Sequence, residues 1–468
     1  MPETPQLPTV AGRPARVVSL VYNDASADSR VQKTAATLRA AGADARIVAI
    51  SRESAGHAPG PGTVGAGVPV YRVHDLDLTR LLPGLTRVWR RWRGRNPDGT
   101  TPVSSVPEPA TGAAPSTASA PPAVGAEAAP PAVHPAQALA VDLWMRLYQT
   151  TRLGYWWLGA VRAARDVAPD VVHANDANSL VPALLTTAGT PGRVVYDSHE
   201  LWRRRNTRQD RWLAPAVDAL VETLGTRLAA GVITVSPSIV DWLQRRYRLT
   251  DPPTLVRNIP TARQVPPREG GRLRAMAGLG EDDKVVSYTG SITTGRGLEE
   301  TVDALALLGD DVHLVLLGYG APQYVTRLLV RARQAGVADR MHLVGAVPSE
   351  LVPQTLADAD VAVVYVRPIC LSYRFSLPNK LFESIHAGLP IVAADLPDTA
   401  EVVRRYGVGE VFDARSPAEL AEAIRAVLAD PGEYRRAAGA ASASLTWEGE
   451  AERMLGLYAR VLGARADR

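Results

Sequence analysis

A cation and a carboxylate three residues apart, Lys380 and Glu383, follow a proline in Ser376-Leu377-Pro378-Asn379-Lys380-Leu381-Phe382-Glu383-Ser384-Ile385-His386-Ala387-Gly388-Leu389-Pro390. That spacing places both on one face of a helix. Pro378 suits the first helical position, where its missing N–H costs nothing. The helix would then open with free N–H groups and a positive dipole end, a seat for a diphosphate. Gly388 and Pro390 end it, and Ile391 to Ala394 reads as a buried strand. A second loop of similar use, Thr289-Gly290-Ser291-Ile292-Thr293-Thr294-Gly295-Arg296-Gly297-Leu298, follows a strand over Val285–Tyr288. Gly290, Gly295 and Gly297 let backbone N–H groups approach phosphate closely. Arg296 suits bidentate phosphate binding, while Lys380 acts as a point charge. A third set, Asp197-Ser198-His199-Glu200, carries an imidazole able to donate or accept near neutral pH, with Asp197 and Glu200 placed either to orient it or to cap the following segment. The chemistry these residues fit is departure of a diphosphate, whose growing charge preorganised cations stabilise.

The elements that must position them form two α/β units. Strand Arg16–Tyr22, helix Arg30–Ala41 and strand Ala45–Ile50 make a βαβ opening. The loop between, Asn23-Asp24-Ala25-Ser26-Ala27-Asp28-Ser29-Arg30, has no glycine, so a dinucleotide fingerprint is missing there, which argues against a nicotinamide dehydrogenase. A helix over Leu139–Asp166 leads to the strand Asp170–His173 and then Ala174-Asn175-Asp176. The strand Gly192–Tyr196, a helix over Gln209–Ala229, the strand Val232–Val235 and a helix opening at Ser236-Pro237 complete the first unit. From Lys284 to about Ala438, strands Val285–Tyr288, Val312–Leu317, Met341–Val344, Val361–Tyr365 and Ile391–Ala394 alternate with helices, and an amphipathic helix over Trp447–Leu462 follows. The expected organisation is residues 14–262, residues 263–444, and a returning helix within 445–468. In such sheets ligands bind beyond the carboxyl ends of the strands, which groups His173, Asp176, His199 and Glu200 along one edge.

The segment Leu377-Pro378-Asn379-Lys380-Leu381-Phe382-Glu383 with its Gly388 and Pro390 resembles the signature of a branch of the retaining, family-four-type glycosyltransferases (glycosyl transferases group 1). Asn23 to Arg30, Val172-His173-Ala174 with Asp176, and Tyr196-Asp197-Ser198-His199-Glu200-Leu201 are similar to further motifs of that branch. The resemblance implies a GT-B fold, two Rossmann-like domains facing across a cleft, and a terminal helix crossing back to the first. It also implies transfer of a hexose-type sugar from a nucleoside-diphosphate sugar to an acceptor hydroxyl, with retention and without metal or other cofactor. Catalytic roles then fall to His199, Arg296 and Lys380. Donor binding falls to Gly290, Ser291, Gly295, Gly297, Gly318, Val347, Ser376, Leu377, Pro378, Asn379 and Glu383, the last on the ribose hydroxyls. Acceptor-side candidates are Asp28, Arg30, His173, Asp176 and Glu200, although Asp28 equally suits a helix cap. Two positions depart from the family: Phe375 stands where a donor-sugar glutamate is usual, and Ser291 where an arginine is. They keep open a nucleotide-sugar 2-epimerase and a catalytically silent nucleotide-sugar-binding protein.

Composition narrows the rest. A formal net charge of +4, without zinc-ligand spacing or an aromatic-basic RNA motif, argues against nucleic acid. The lone Cys370 permits no internal disulfide and fits a reducing cytoplasm. No apolar run reaches the roughly 18 residues of a membrane span. From about Asn96 to Pro135 the chain is nearly all Ala, Pro, Gly, Ser, Thr and Val, which predicts a disordered insert. Just before it, Trp89 and Trp92 among Arg87, Arg90, Arg91, Arg93 and Arg95 suit either peripheral contact with an anionic membrane face or a solvated helix face. The expected acceptors are a lipid-linked glycan or a small metabolite.

Overall fold

The computed structural model describes residues 5–76, 135–206 and 214–466. The Ala/Pro-rich stretch, the Trp89/Trp92 segment and the start expected for the Gln209 helix lie outside these residues.

The first sheet contains β1 (Arg16–Leu20), β2 (Asp44–Ile50), β3 (Gly60–Val64), β4 (Val68–Val73), β5 (Val171–Asn175), β6 (Arg193–Ser198), β7 (Gly231–Thr234) and β8 (Thr254–Leu255). Its order is β3-β4-β2-β1-β5-β6-β7-β8, parallel except for the β3–β4 hairpin. The second sheet contains β9 (Lys284–Thr289), β10 (Val312–Leu317), β11 (Met341–Leu343), β12 (Val361–Val364), β13 (Ile391–Ala394) and β14 (Gly409–Phe412). Its order is β11-β10-β9-β12-β13-β14, parallel throughout. Strands such as β5 and β13 are buried along their whole length, because helices cover both faces of a parallel sheet. Both chain-order reversals, between β1 and β5 and between β9 and β12, leave crevices at strand carboxyl ends, where a doubly wound sheet binds ligands.

The helix Trp447–Ala466 packs not on the second sheet but on the first. Trp447, Met454, Leu457, Tyr458 and Val461 share a core with Val17, Val171, Val195 and Ile233. Ion pairing fixes its start: Glu450 Oε1 accepts from Arg257 Nε and Nη2 at 2.9 and 2.6 Å. Among the described residues no helix is long and apolar enough to cross a membrane.

Several element ends differ from the sequence reading. Pro378 is the N-cap, in extended backbone, and the helix runs Asn379–His386, so Asn379 takes the first helical position. The first helix begins at Ser29, where Asp28 accepts from Val31 N. The terminal helix runs beyond Leu462 to Ala466.

Candidate active site

On the second domain, β9 ends in a loop built for close backbone approach. Gly290 has φ +113°, and a Cβ on Gly318 would stand 1.9 Å from the Gly290 carbonyl oxygen. A Cβ on Gly320 would stand 2.2 Å from the Ile292 carbonyl oxygen. The loops after β9 and β10 therefore meet backbone to backbone, and glycine is needed at both points. Gly297 adopts φ +68° with the Tyr365 ring directly beneath, which leaves no room for a side chain. The helix Leu298–Leu305 follows it. Ser291 and Val347 are half-buried, and Gly318 N–H donates to Gly345 O at 2.6 Å.

Two cations converge on this loop. Lys380, at the first turn of Asn379–His386, is only 8% exposed, and its Nζ stands 3.5 Å from the Tyr288 ring centroid. That ammonium has no hydrogen-bond partner among the described residues. Burial, reinforced by the Arg296 charge, holds it well below the usual lysine range, against the pull of Glu383. Arg296 lies over the Tyr373 ring at 5.2 Å, with no ion-pair partner among the described residues. The cation–π contacts offset part of the desolvation cost but supply no counter-charge. A buried, unpaired ammonium beside a guanidinium and a glycine loop is a site for an anion.

Glu383 is half-buried at the domain junction. Burial pushes its carboxyl up to about 7, although Lys380, Lys33 and Arg263 pull the other way. Lys33 comes from the first-domain helix Ser29–Ala40, donates to Ile259 O at 2.7 Å, and is lowered by burial to about 8. Ser376 Oγ donates to Tyr373 O at 2.8 Å, Leu377 is buried and Asn379 is exposed. Phe375 does not face open solvent; with Leu371 it packs against the first-domain cluster of Tyr196, Leu201 and Trp202, and its carbonyl accepts from Ser236 Oγ at 2.8 Å. The aromatic at this position thus bridges the domains.

The first-domain wall is organised around Asp197. Arg30 donates to both its carboxylate oxygens, Nε at 2.9 Å and Nη2 at 2.8 Å. His173 Nε2 and His199 Nε2 stand 3.3 and 3.4 Å from Asp197 Oδ2. Burial opposes ionisation of Asp197, but Arg30 and His199 outweigh it and hold the carboxyl well below its ordinary range. His199 Nδ1 lies 3.6 Å from Asp176 Oδ2. Burial would lower His199, yet Asp176 and Asp197 raise it to about 9. The ring is therefore an imidazolium at neutral pH, a donor and not the donor-or-acceptor that the sequence suggested. Asp176 pays for its placement with φ +58°, a left-handed backbone that is costly for aspartate.

Two acceptor-side expectations need correcting, for Arg30 and His173, and for Asp28 the helix-cap alternative is the one the structure shows. Arg30 is 4% exposed, spent on Asp197 and on Val256 O at 2.7 Å. His173 is fully buried, its Nδ1 2.7 Å from the Tyr458 hydroxyl. Asp28 is occupied with the helix cap and with Asn23 Nδ2 at 2.9 Å. Of the orienting pair, Asp197 faces His199, whereas Glu200 binds Arg205 Nη1 at 3.1 Å. The sequence reading missed Lys33, Tyr288 and Tyr458. Lys33 lies one helical turn beyond Arg30 and was findable by spacing; the tyrosines carry no local signal.

Residues 272–444 match the family described as Glycosyl transferases group 1, and residues 118–260 match Glycosyltransferase Family 4. A D-inositol 3-phosphate glycosyltransferase of Xylanimonas cellulosilytica is 32% identical over 42% of this chain and 47% of its own length. A 2-deoxystreptamine glucosyltransferase of Streptomyces kanamyceticus is 26% identical over 48% of this chain and 55% of its own. The chain thus spans about half the length of such curated relatives. The fold is similar to sucrose-phosphate synthase from Thermosynechococcus elongatus, with TM-score 0.68 and 16% identity over 96% of this chain and all of that one. It is also similar to Anabaena HepE in complex with UDP-glucose, with TM-score 0.61 and 16% identity over 94% of this chain and 98% of that one.

Proposed function

This chain belongs to the group 1 glycosyltransferases of GT-B fold, and from that premise we propose that it moves a sugar from a nucleoside-diphosphate sugar to an acceptor hydroxyl. The observation that carries the reading is the unpaired Lys380 ammonium beside Arg296 and the Gly290 loop. Uncompensated positive charge in a low-dielectric pocket is unfavourable alone and becomes favourable when an anion enters. In the proposed reaction the donor diphosphate lies there, between Lys380, Arg296 and the backbone N–H groups after β9. Charge grows on its oxygens as the glycosidic bond breaks, and these donors stabilise it without a metal. Glu383 takes the ribose hydroxyls. His199, held positive by Asp176 and Asp197, keeps its Nδ1–H, which at 3.6 Å is beyond hydrogen-bond reach of Asp176, to donate to a sugar or acceptor oxygen, and does not act as base. Retention of configuration follows the family resemblance. The cyclitols named for two relatives, D-inositol 3-phosphate and 2-deoxystreptamine, support a small polyhydroxylated acceptor, and the phosphatidylinositol monomannoside named for another supports a lipid-linked one.

Thermal stabilisation by UDP, GDP, ADP and TDP, followed by assay of nucleoside diphosphate release with a polyol panel, tests this. A nucleotide at 100 times its Kd adds about 2.7 kcal/mol to folding stability. Stabilisation by none of the four would overturn the reading. Isomerised donor without acceptor would indicate an epimerase, and binding without turnover a silent binder.

A further inference from the structure

The terminal helix contributes one polar side chain to the first-domain wall. Tyr458 is fully buried, and its ring lies parallel to that of His173 within 8°. Phenylalanine would pack equally well there, and a buried hydroxyl is unfavourable unless it is bonded. Here it is bonded, 2.7 Å from His173 Nδ1. The opposite ring nitrogen of His173 faces Asp197 Oδ2 at 3.3 Å. Asp197 is ionised against Arg30 and can only accept, so Nε2 of His173 carries the hydrogen. With the Nε2 hydrogen directed at Asp197, Nδ1 is left as the acceptor and the Tyr458 hydroxyl is its donor. Tyr458 thereby fixes the tautomer.

The same Asp197 Oδ2 stands 3.4 Å from His199 Nε2, and Arg30 Nε donates to it at 2.9 Å. Three nitrogens thus surround one oxygen, and each limits rotation of the carboxylate. We propose that Tyr458 and His173 are positioning residues for His199, acting through Asp197, so that docking of the terminal helix sets the geometry of the reaction centre. The proposal rests on the assignment of His199 to sugar transfer. Arg30 is the largest of the charges that keep Asp197 ionised, so loss of the His173 donor leaves that charge in place and removes one of the three constraints on Oδ2. The expected effect therefore falls on turnover and not on nucleotide binding, since Lys380, Arg296 and Glu383 are untouched.

The full chain carrying Tyr458→Phe, His173→Leu or His173→Gln provides the test. Loss of one hydrogen bond predicts a fall in kcat of about fivefold for Tyr458→Phe and about tenfold for His173→Leu. The donor KM and the affinity for bare nucleoside diphosphate should stay within about twofold, as expected when only transition-state interactions are lost. His173→Gln keeps an N–H toward Asp197 and should recover most of the His173→Leu loss. Unchanged kcat in both Tyr458→Phe and His173→Leu would overturn the proposal. So would equal loss in the Gln and Leu variants accompanied by a lower Tm, which would mark a packing role. If the wild type releases no nucleoside diphosphate with any acceptor, the transfer reading fails while this one is still measurable. The His199 ring resonance, identified by its loss in His199→Gln, must then shift in Tyr458→Phe, and a resonance that stays in place overturns the relay.

Discussion

On the first-domain wall the ions around His199 have counter-ions, whereas on the second-domain wall Lys380 and Arg296 have no ion-pair partner among the described residues. Arg30, Asp197, His199 and Asp176 form a closed set whose charges cancel at short range, so the geometry is fixed before any ligand arrives. Lys380 is buried to a similar degree and left without a partner, so that wall holds an electrostatic cost that an anion removes. Paired charge positions a group; unpaired charge binds one. Equal burial thus has opposite meanings on the two sides of the cleft.

The largest expected effect breaks the paired side. Arg30→Met leaves Asp197 buried without its guanidinium and should lower folding stability by about 3–5 kcal/mol, measured by denaturant unfolding. A loss under about 1 kcal/mol would place Asp197 among solvated groups and dissolve the contrast.

Next comes the unpaired side, where the same kind of substitution should have the opposite sign for folding. Lys380→Met should lower turnover by about 10²- to 10³-fold. Its nucleotide-free stability should be unchanged or higher, because no pair is broken and a buried charge is gone. The sign with pH follows: a lysine depressed in the folded state makes the unfolded chain bind more protons, so wild-type stability rises with pH toward the ordinary lysine value of about 10.4. The Met variant should lack that slope in thermal melts taken across the alkaline range. Destabilisation like that of Arg30→Met would show that Lys380 has a hidden counter-ion.

Glu383 sharpens the comparison at the junction. Its folded value, raised to about 7 by burial, favours folding at acid pH, and that contribution is lost as pH rises through about 7. Ribose hydroxyls donate to the ionised form, so nucleoside diphosphate affinity should climb across the same range. In Glu383→Gln the affinity should be flat around neutrality and about tenfold weaker at pH above 7, the worth of a hydrogen bond to a charged group. Calorimetric titration at several pH values measures both. An unchanged affinity would mean that the carboxylate faces away from the nucleotide.

The smallest effect concerns His199. Turnover should fall as pH rises through about 9, where the imidazolium loses its proton. Asp176→Asn removes one of the two raising charges and should move that midpoint down toward the ordinary 6.5, read from the pH profile of kcat. A midpoint that does not move would assign the whole shift to Asp197.

The sequence by itself determined the two parallel sheets, through buried strand runs separated by helical segments, and the donor-side residues, through one contiguous stretch around Lys380 and one glycine loop around Arg296. These were legible because each is local: a loop, a strand end and a helix start lie within a few residues of one another. What only the tertiary structure decided is which of the charged residues are spent. Arg30 and Asp197 are 167 positions apart, and His173 and Tyr458 are 285 apart, yet each pair is in contact. Exposed and paired arginines look alike in a sequence, so Arg30 read as an acceptor residue until Asp197 was found against it. Likewise nothing local in the sequence marks Lys380 as buried; the Tyr288 ring beneath its ammonium does. Burial and pairing are properties of contacts distant along the chain, and they decide whether a charge holds the fold or waits for a ligand.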